Sequence, residues 1–174
     1  MSVEQSAPPQ DLSREQLSAM YRRMRLIRGF ENTAQKRFEA GEIGGFLHLS
    51  QGQEAVPVGT CTALRPDDYI TSTHRGHGHC LAKGGDARHM MAELLGRATG
   101  ICKGKGGSMH IADFELGILG ANGIVGGGIA LATGAAYSAD LRGSGQVVVC
   151  FFGDGASNQG ILMEAGNMAA LWKL

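Results

Sequence analysis

The chain has 174 residues, 43% of them apolar and 18% charged, and its 16 basic side chains balance 16 acidic ones. Such a composition is globular rather than disordered, and zero net charge sets up no long-range field for a nucleic acid. No apolar run reaches the roughly 18 to 20 residues that span a bilayer, and Met1 to Gln16 lacks a basic-then-apolar leader, so the expectation is a cytoplasmic protein with neither nucleic-acid nor membrane partner.

Residues 1–12, with Pro8, Pro9 and small polar groups, are expected to form a flexible arm, and 13–174 to belong to one domain. Ser13 and Gln16 stand at capping-box spacing. Leu17, Met20, Tyr21, Met24 and Ile27 follow with helical rhythm, predicting a helix that runs to about Ala40 and stops at Gly41. Gly29 inside it suggests close packing, and Arg22, Arg23, Arg25 and Arg28 read as a solvated face. Gln53 to Leu64 forms a short helix with Pro57 near its first turn, and Asp68 to Ser72 a short strand. That strand runs into His74-Arg75-Gly76-His77-Gly78-His79, which puts polar chemistry at its end. Helices follow over Asp86 to Leu95, with Met90 and Met91 in the core, and over the alanine-rich Ile129 to Leu141. Gln146 to Phe152 has no polar alternation, the pattern of a central parallel strand buried on both faces; it breaks at Gly153-Asp154-Gly155, and helical periodicity resumes from Gln159. The fold class is α/β, a mostly parallel sheet flanked by helices.

Glycine is in excess: there are 28, and eleven of them lie between Gly100 and Gly134 without a collagen or linker period, so they read as ordered loop. The run from Gly104 to His110 lacks the lysine followed by serine or threonine of a P-loop. Cys61, Cys80, Cys102 and Cys150 show no paired spacing and read as reduced thiols. At the end of a buried parallel strand, Asp154 between two glycines suits a cation that bridges phosphate oxygens; a plain strand-to-helix turn is the other reading. Arg75 can grip an anion with its planar fork. His48 reads equally as structural or catalytic, and His89 and His110 lean towards structure. Asn122 to Gly126 forms a tight turn whose main chain can read the edge of a flat heterocycle.

Several segments together resemble one family, the alpha subunit of the thiamine diphosphate-dependent first component of 2-oxo acid and acetoin dehydrogenase complexes. They are Gly45-Phe46-Leu47-His48, Gly52-Gln53-Glu54-Ala55, His74 to Gly78, Gly104 to His110, Asn122 to Gly126, Gly153 to Gly160 and Asn167 to Trp172. The resemblance implies a thiamin diphosphate-binding fold in which Asp154 coordinates Mg²⁺, and Gly155, Ala156 and Arg75 meet the diphosphate. It also implies that main-chain groups of Gly123 and Val125 hold the aminopyrimidine. His48, near the reacting carbon, and His74 are the catalytic candidates. His74 stands where pyruvate-using and branched-chain members have a tyrosine, a variation similar to acetoin-cleaving relatives. Further implied are a beta subunit in an alpha2beta2 assembly, a lipoyl-bearing acyltransferase that receives the acyl group, and acetoin or a 2-oxo acid as substrate. The family's second metal ligand, in a downstream asparagine pair, lies past Leu174, so the expectation is an amino-terminal part of the domain, inactive alone and with an exposed apolar edge. Two other readings stand beside this one: a non-catalytic assembly fragment, and a metal module built on His77 and His79.

Overall fold

The computed structural model describes residues 12–174. The arm expected over 1–12 therefore lies, Leu12 apart, outside the described residues.

Helix α1 (Arg14–Glu39) starts on the capping box: Ser13 N donates to Gln16 Oε1 at 2.8 Å and Gln16 N to Ser13 Oγ at 3.2 Å. It ends at Ala40, followed by Gly41 at φ +74°, the left-handed step a glycine takes without strain. One expectation for α1 is overturned. A Cβ at Gly29 would meet nothing within 4 Å, so no close packing explains it. The four arginines lie on an exposed face as expected, and two of them also make specific contacts there: Arg28 forms a bidentate pair with Glu54 at 2.5 and 3.0 Å, and Arg23 donates to Ala82 O at 2.6 Å. The Arg28 hydrogen bonds hold the Glu54 carboxyl down at about 2.

Helix α2 (Ala55–Ala63) carries Pro57 in its first turn, where no amide donor is missed. Strand β1 (Tyr69–Thr71) follows, then α3 (His77–Lys83), whose histidine-rich sequence gave no helical signal. Asp86 caps α4 (Ala87–Leu94), accepting from the amides of Arg88 and His89. After a 3₁₀ turn at Phe114–Leu116 come β2 (Ile118–Gly120), α5 (Gly127–Arg142), β3 (Val148–Cys150), α6 (Asp154–Ser157) and α7 (Gly160–Trp172). The strands form a parallel sheet in the order β2-β1-β3. In this sheet β1 is central and β3 lies at an edge, with Val147 exposed and Val148, Val149 and Cys150 half-buried. Among the described residues the apolar run of β3 pairs on one side only, which is the exposed apolar edge expected for it, while β1 carries the fully buried pair Ile70 and Thr71. Asp68, itself buried, aligns the two strands by accepting from Val147 N at 2.8 Å and Arg65 N at 2.7 Å.

The core lies between α1, α2, α3, α4 and the sheet, around Ile27, Phe30, Val58, Ile70, Leu81, Met90 and Ile118. Each such side chain contributes about 1.5–3 kcal/mol when fully buried. A smaller cluster of Ile129, Ala156 and Ala165 joins α5 to α6 and α7. The outward faces of α5 and α7 leave Leu131, Leu141, Met163 and Leu171 exposed. Among the described residues all four cysteines are free, and no helix is long and apolar enough to cross a membrane.

The glycine-rich run is ordered by an anion of the protein itself. Glu93, fully buried on α4, accepts from the amides of Cys102, Gly104, Gly106 and Gly107 at 2.7–3.1 Å. Any side chain at Gly100 would collide with that carboxylate. Burial pushes the Glu93 pKa up, but the four amide donors together outweigh it and hold the group below its ordinary value. A depressed folded pKa supplies stability that is present above the unfolded value and lost as pH falls through the folded one. Glu93→Ala should therefore cost about 3 kcal/mol or more in urea unfolding at pH 7, by orphaning several amides, and Glu93→Gln less. The gap between wild type and Glu93→Gln should shrink below about pH 4.

Candidate active site

Parallel pairing decides where the predicted site residues go. Thr71 pairs with Gly120 on one side and Cys150 on the other, so three chains leave the sheet at one carboxyl edge: Ser72 to Arg75, Ala121 to Gly126, and Phe151 to Gly155. In open α/β sheets that edge is where ligands bind. Here the three segments enclose a cleft of about 180 Å³, bordered by Ser72, Thr73, His74, Asn122, Val125, Phe151, Asp154, Gly155 and Ala156. A neighbouring hollow of about 450 Å³ adds Arg75, Gln53 and His79 and shares His74 and Asp154 with the first. Asp154 is exposed, in the first turn of α6, and faces the same space as Arg75.

The loops are held by specific contacts. Arg75 donates from Nη1 to Leu49 O, and its own amide donates to Thr73 Oγ1 at 3.2 Å, which fixes the root of the guanidinium. Asn122 Oδ1 accepts from Ile124 N at 2.8 Å and closes the predicted turn. Gly126 caps α5 at φ +84°, and a Cβ there would strike Ile161 of α7, so this loop lies against the helix that follows Asp154. Ala156 N donates back to Gly153 O at 3.1 Å, whereas the amides of Asp154 and Gly155, first and second in the turn, have no intrahelical acceptor.

Most predicted site residues thus converge: His74, Arg75, Val125, Asp154, Gly155 and Ala156 border the two hollows. His48 joins them through His74, with ring centroids 4.9 Å apart and planes at 85°. Gly123 sits off the cleft, nearest to His110. The histidine run does not converge on a metal. His77 is bound by Glu31 and Ser108, and His79 by Ser72 Oγ at 2.6 Å with its ring stacked on Phe151. Among the described residues no cluster of three or more His, Cys, Asp or Glu side chains could hold an ion. His89 is exposed, and His110 meets Gly106 O through Nδ1.

Sequence reasoning missed Phe151 and His79, because an apolar strand residue and the third histidine of a polar run gave no sign that they would stack at the cleft. Burial lowers the His79 pKa to about 4. Burial first, then the charges of His48 and Arg75, lowers that of His74.

A three-stranded parallel sheet thus gathers an arginine, an aspartate and paired imidazoles at its carboxyl edge, the place where open α/β sheets bind ligands. The chain belongs to the dehydrogenase E1 component family, whose model matches residues 22–174. It is 58% identical over 163 residues to the alpha subunit of the acetoin:2,6-dichlorophenolindophenol oxidoreductase of Bacillus subtilis and 53% identical to that of Cupriavidus necator, covering 94% of this chain and 49% of each relative. The pyruvate dehydrogenase E1 component subunit alpha of Rhizobium meliloti is 50% identical over 164 residues, 94% of this chain and 47% of the relative. The chain spans about half the length of these relatives.

The two lowered imidazoles give a direct check. His79, at about 4 folded against about 6.5 unfolded, should show flat ring resonances between pH 5.5 and 8, and His74 should titrate below 6.5. Because the unfolded chain takes the proton first, this pair should cost stability as pH falls from about 6.5 towards 4. NMR titration with Arg75→Gln should move the His74 midpoint up and leave His79 unchanged.

Proposed function

We propose that this chain serves in the alpha subunit of a thiamine diphosphate-dependent dehydrogenase that cleaves acetoin, or decarboxylates a 2-oxo acid such as pyruvate, and passes the acyl group to lipoamide. Membership of the E1 family implies the cofactor. The observation that carries the reading is Arg75 and Asp154 on one hollow at the carboxyl edge of β1 and β3. Acetoin is favoured over pyruvate by His74 beside His48 and by the identities to the two acetoin relatives.

The donor set suits the group. Mg²⁺ takes one or two carboxylates and completes its shell with phosphate oxygens and water, so the exposed Asp154 is a fitting ligand even though no cluster of three or more acidic, His or Cys side chains occurs among the described residues. Arg75, with one nitrogen committed to Leu49 O, keeps further donors for the diphosphate, and the Gly155 amide adds a neutral one. Ala156 contributes mainly by packing the turn against Ile129, since its amide already serves Gly153 O. The 122–126 turn, with Val125 on the cleft, holds the aminopyrimidine edge through main-chain groups, Gly123 from its outer end. Thiamine diphosphate, when bound, would supply a nucleophilic carbon for the substrate carbonyl and an electron-poor ring able to take up the electron pair of the broken carbon–carbon bond. His74, kept neutral by burial and by its charged neighbours, and His48 against it supply a proton donor and acceptor at the substrate oxygen.

The rest of the proposal extends past this chain. Residues 13–174 form the amino-terminal part of a thiamin diphosphate-binding domain of a cytoplasmic enzyme, which works in an alpha2beta2 assembly and hands its product to a lipoyl-bearing acyltransferase. On its own the chain has no turnover.

Calorimetry on the complete subunit with its beta partner tests the core of this reading. Thiamine diphosphate with Mg²⁺ should bind, Asp154→Ala should weaken binding about 100-fold or more, and Arg75→Gln about 10- to 100-fold, as expected for charge-assisted contacts. Binding unaffected by Asp154→Ala would sink it.

A further inference from the structure

A buried polar chain runs from α1 to the loop that carries His48. Glu31 and His77 are fully buried and Ser108 is 5% exposed. Glu31 Oε2 lies 3.0 Å from His77 Nδ1, and His77 Nε2 lies 2.9 Å from Ser108 Oγ. Ser108 Oγ accepts from His48 N at 3.3 Å. The other carboxylate oxygen, Glu31 Oε1, accepts from Ser50 Oγ at 2.6 Å and from Ser50 N at 3.2 Å. The segment His48-Leu49-Ser50 is therefore pinned at both ends by one acid, directly at Ser50 and through His77 and Ser108 at His48. Its middle residue offers Leu49 O to Arg75.

The donors fix the order of the chain. An amide can only donate, so Ser108 Oγ is the acceptor from His48 and has its own proton to give. With His77 Nε2 accepting the hydrogen bond of that hydroxyl and Nδ1–H donating to Glu31, every donor is used. A core carboxylate, imidazole and hydroxyl are costly to bury for stability alone. None of the three touches the cleft, and all of them converge on the short segment that sets His48 against His74 and anchors Arg75.

We propose that Glu31, His77 and Ser108 form a positioning relay that fixes the main chain of His48–Ser50 and, through it, the His48 imidazole and the Arg75 guanidinium. The proposal rests on the reading of His48 and Arg75 as site residues given above. The relay moves no proton in the reaction; it removes freedom from a loop whose displacement by about 1 Å can cost 100-fold in rate.

The test uses the complete alpha subunit assembled with its beta partner, thiamine diphosphate and Mg²⁺, with acetoin as substrate and 2,6-dichlorophenolindophenol as acceptor. Ser108→Ala cuts the link between His77 and His48 N by removing one oxygen. It should lower kcat about tenfold or more and, by leaving a buried imidazole nitrogen and an amide unpaired, lower the thermal midpoint by several degrees while the protein stays folded at the assay temperature. KM and cofactor affinity should stay within about threefold, because Glu31 still holds Ser50 directly beside the Leu49 carbonyl that anchors Arg75. Ser108→Thr, which keeps the hydroxyl, should recover most of the rate. His77→Asn keeps a donor for Glu31 and loses Ser108, so the double variant with Ser108→Ala should be no slower than the slower single one, the non-additivity of a shared path. If His77→Asn does not fold, the Ser108 pair decides alone. A wild-type subunit that binds cofactor and turns over while Ser108→Ala keeps full kcat overturns the relay and leaves the proposed function standing. A rate loss that follows the loss of folded protein also overturns it. A wild-type subunit that binds no thiamine diphosphate overturns the proposed function and the relay together.

Discussion

The parallel pairing of three very short strands is the constraint on which the rest depends. Each strand has only three residues, too few to be worth much as a ladder, yet their common direction sends the three chemistry-bearing segments out of one edge. An antiparallel β3 would have carried Asp154 to the opposite end from Arg75. Direction is enforced less by strand hydrogen bonds than by what surrounds them. Asp68 seizes the amide of Val147 before β3 begins, and Thr71 Oγ1 donates to Gly128 O at 3.1 Å, seating α5 against the centre of the sheet. The cleft is thus a consequence of topology, with side chains added to it.

Buried acids do for the loops what the strands do for the cleft. Glu93 gathers four amides of a run too rich in glycine to hold itself, and Glu31 gathers Ser50 and His77. A glycine-rich loop loses more backbone entropy on ordering than any other, about 1–2 kcal/mol per residue, so an internal anion that engages several amides at once is an efficient organiser. In the run from Gly104 to His110 the amides of Gly104, Gly106 and Gly107 thus turn inwards, onto the protein's own carboxylate.

Much of this was legible in the sequence and some was not, for physical reasons. Capping chemistry placed α1 and α4 to within a residue, because Ser13, Gln16 and Asp86 act over one turn. Short-range signals also found the Asn122 turn and the break at Gly153. The exposed apolar edge was legible too, since a run as apolar as Gln146 to Phe152 has the pattern of a strand with neighbours on both sides and here has one. Val147 to Phe152 is the greasier run, but the sheet centre went to Tyr69-Ile70-Thr71, which has a neighbour on each side. The helix α3 escaped because histidine and glycine are weak helix formers, and packing of Cys80, Leu81 and Ala82 overrides their preference. Glu31 and Glu93 could have been found. Each lies on an apolar stripe, Glu31 with Ile27, Phe30 and Ala34, Glu93 with Met90 and Leu94, and a charge in such a row must find partners indoors.

The absent side chain of Gly126 carries a mechanical implication. Because Ile161 occupies the space a Cβ would need, the turn from Asn122 to Gly126 and the first turn of α7 behave as two cogs in mesh. Ile161 therefore backs the turn that brings Val125 to the cleft, while Ala165 of the same helix packs with Ala156 behind Asp154. One helix, α7, is thereby in register with both walls: with the 122–126 turn through Ile161, and with Asp154 through the short connection from α6.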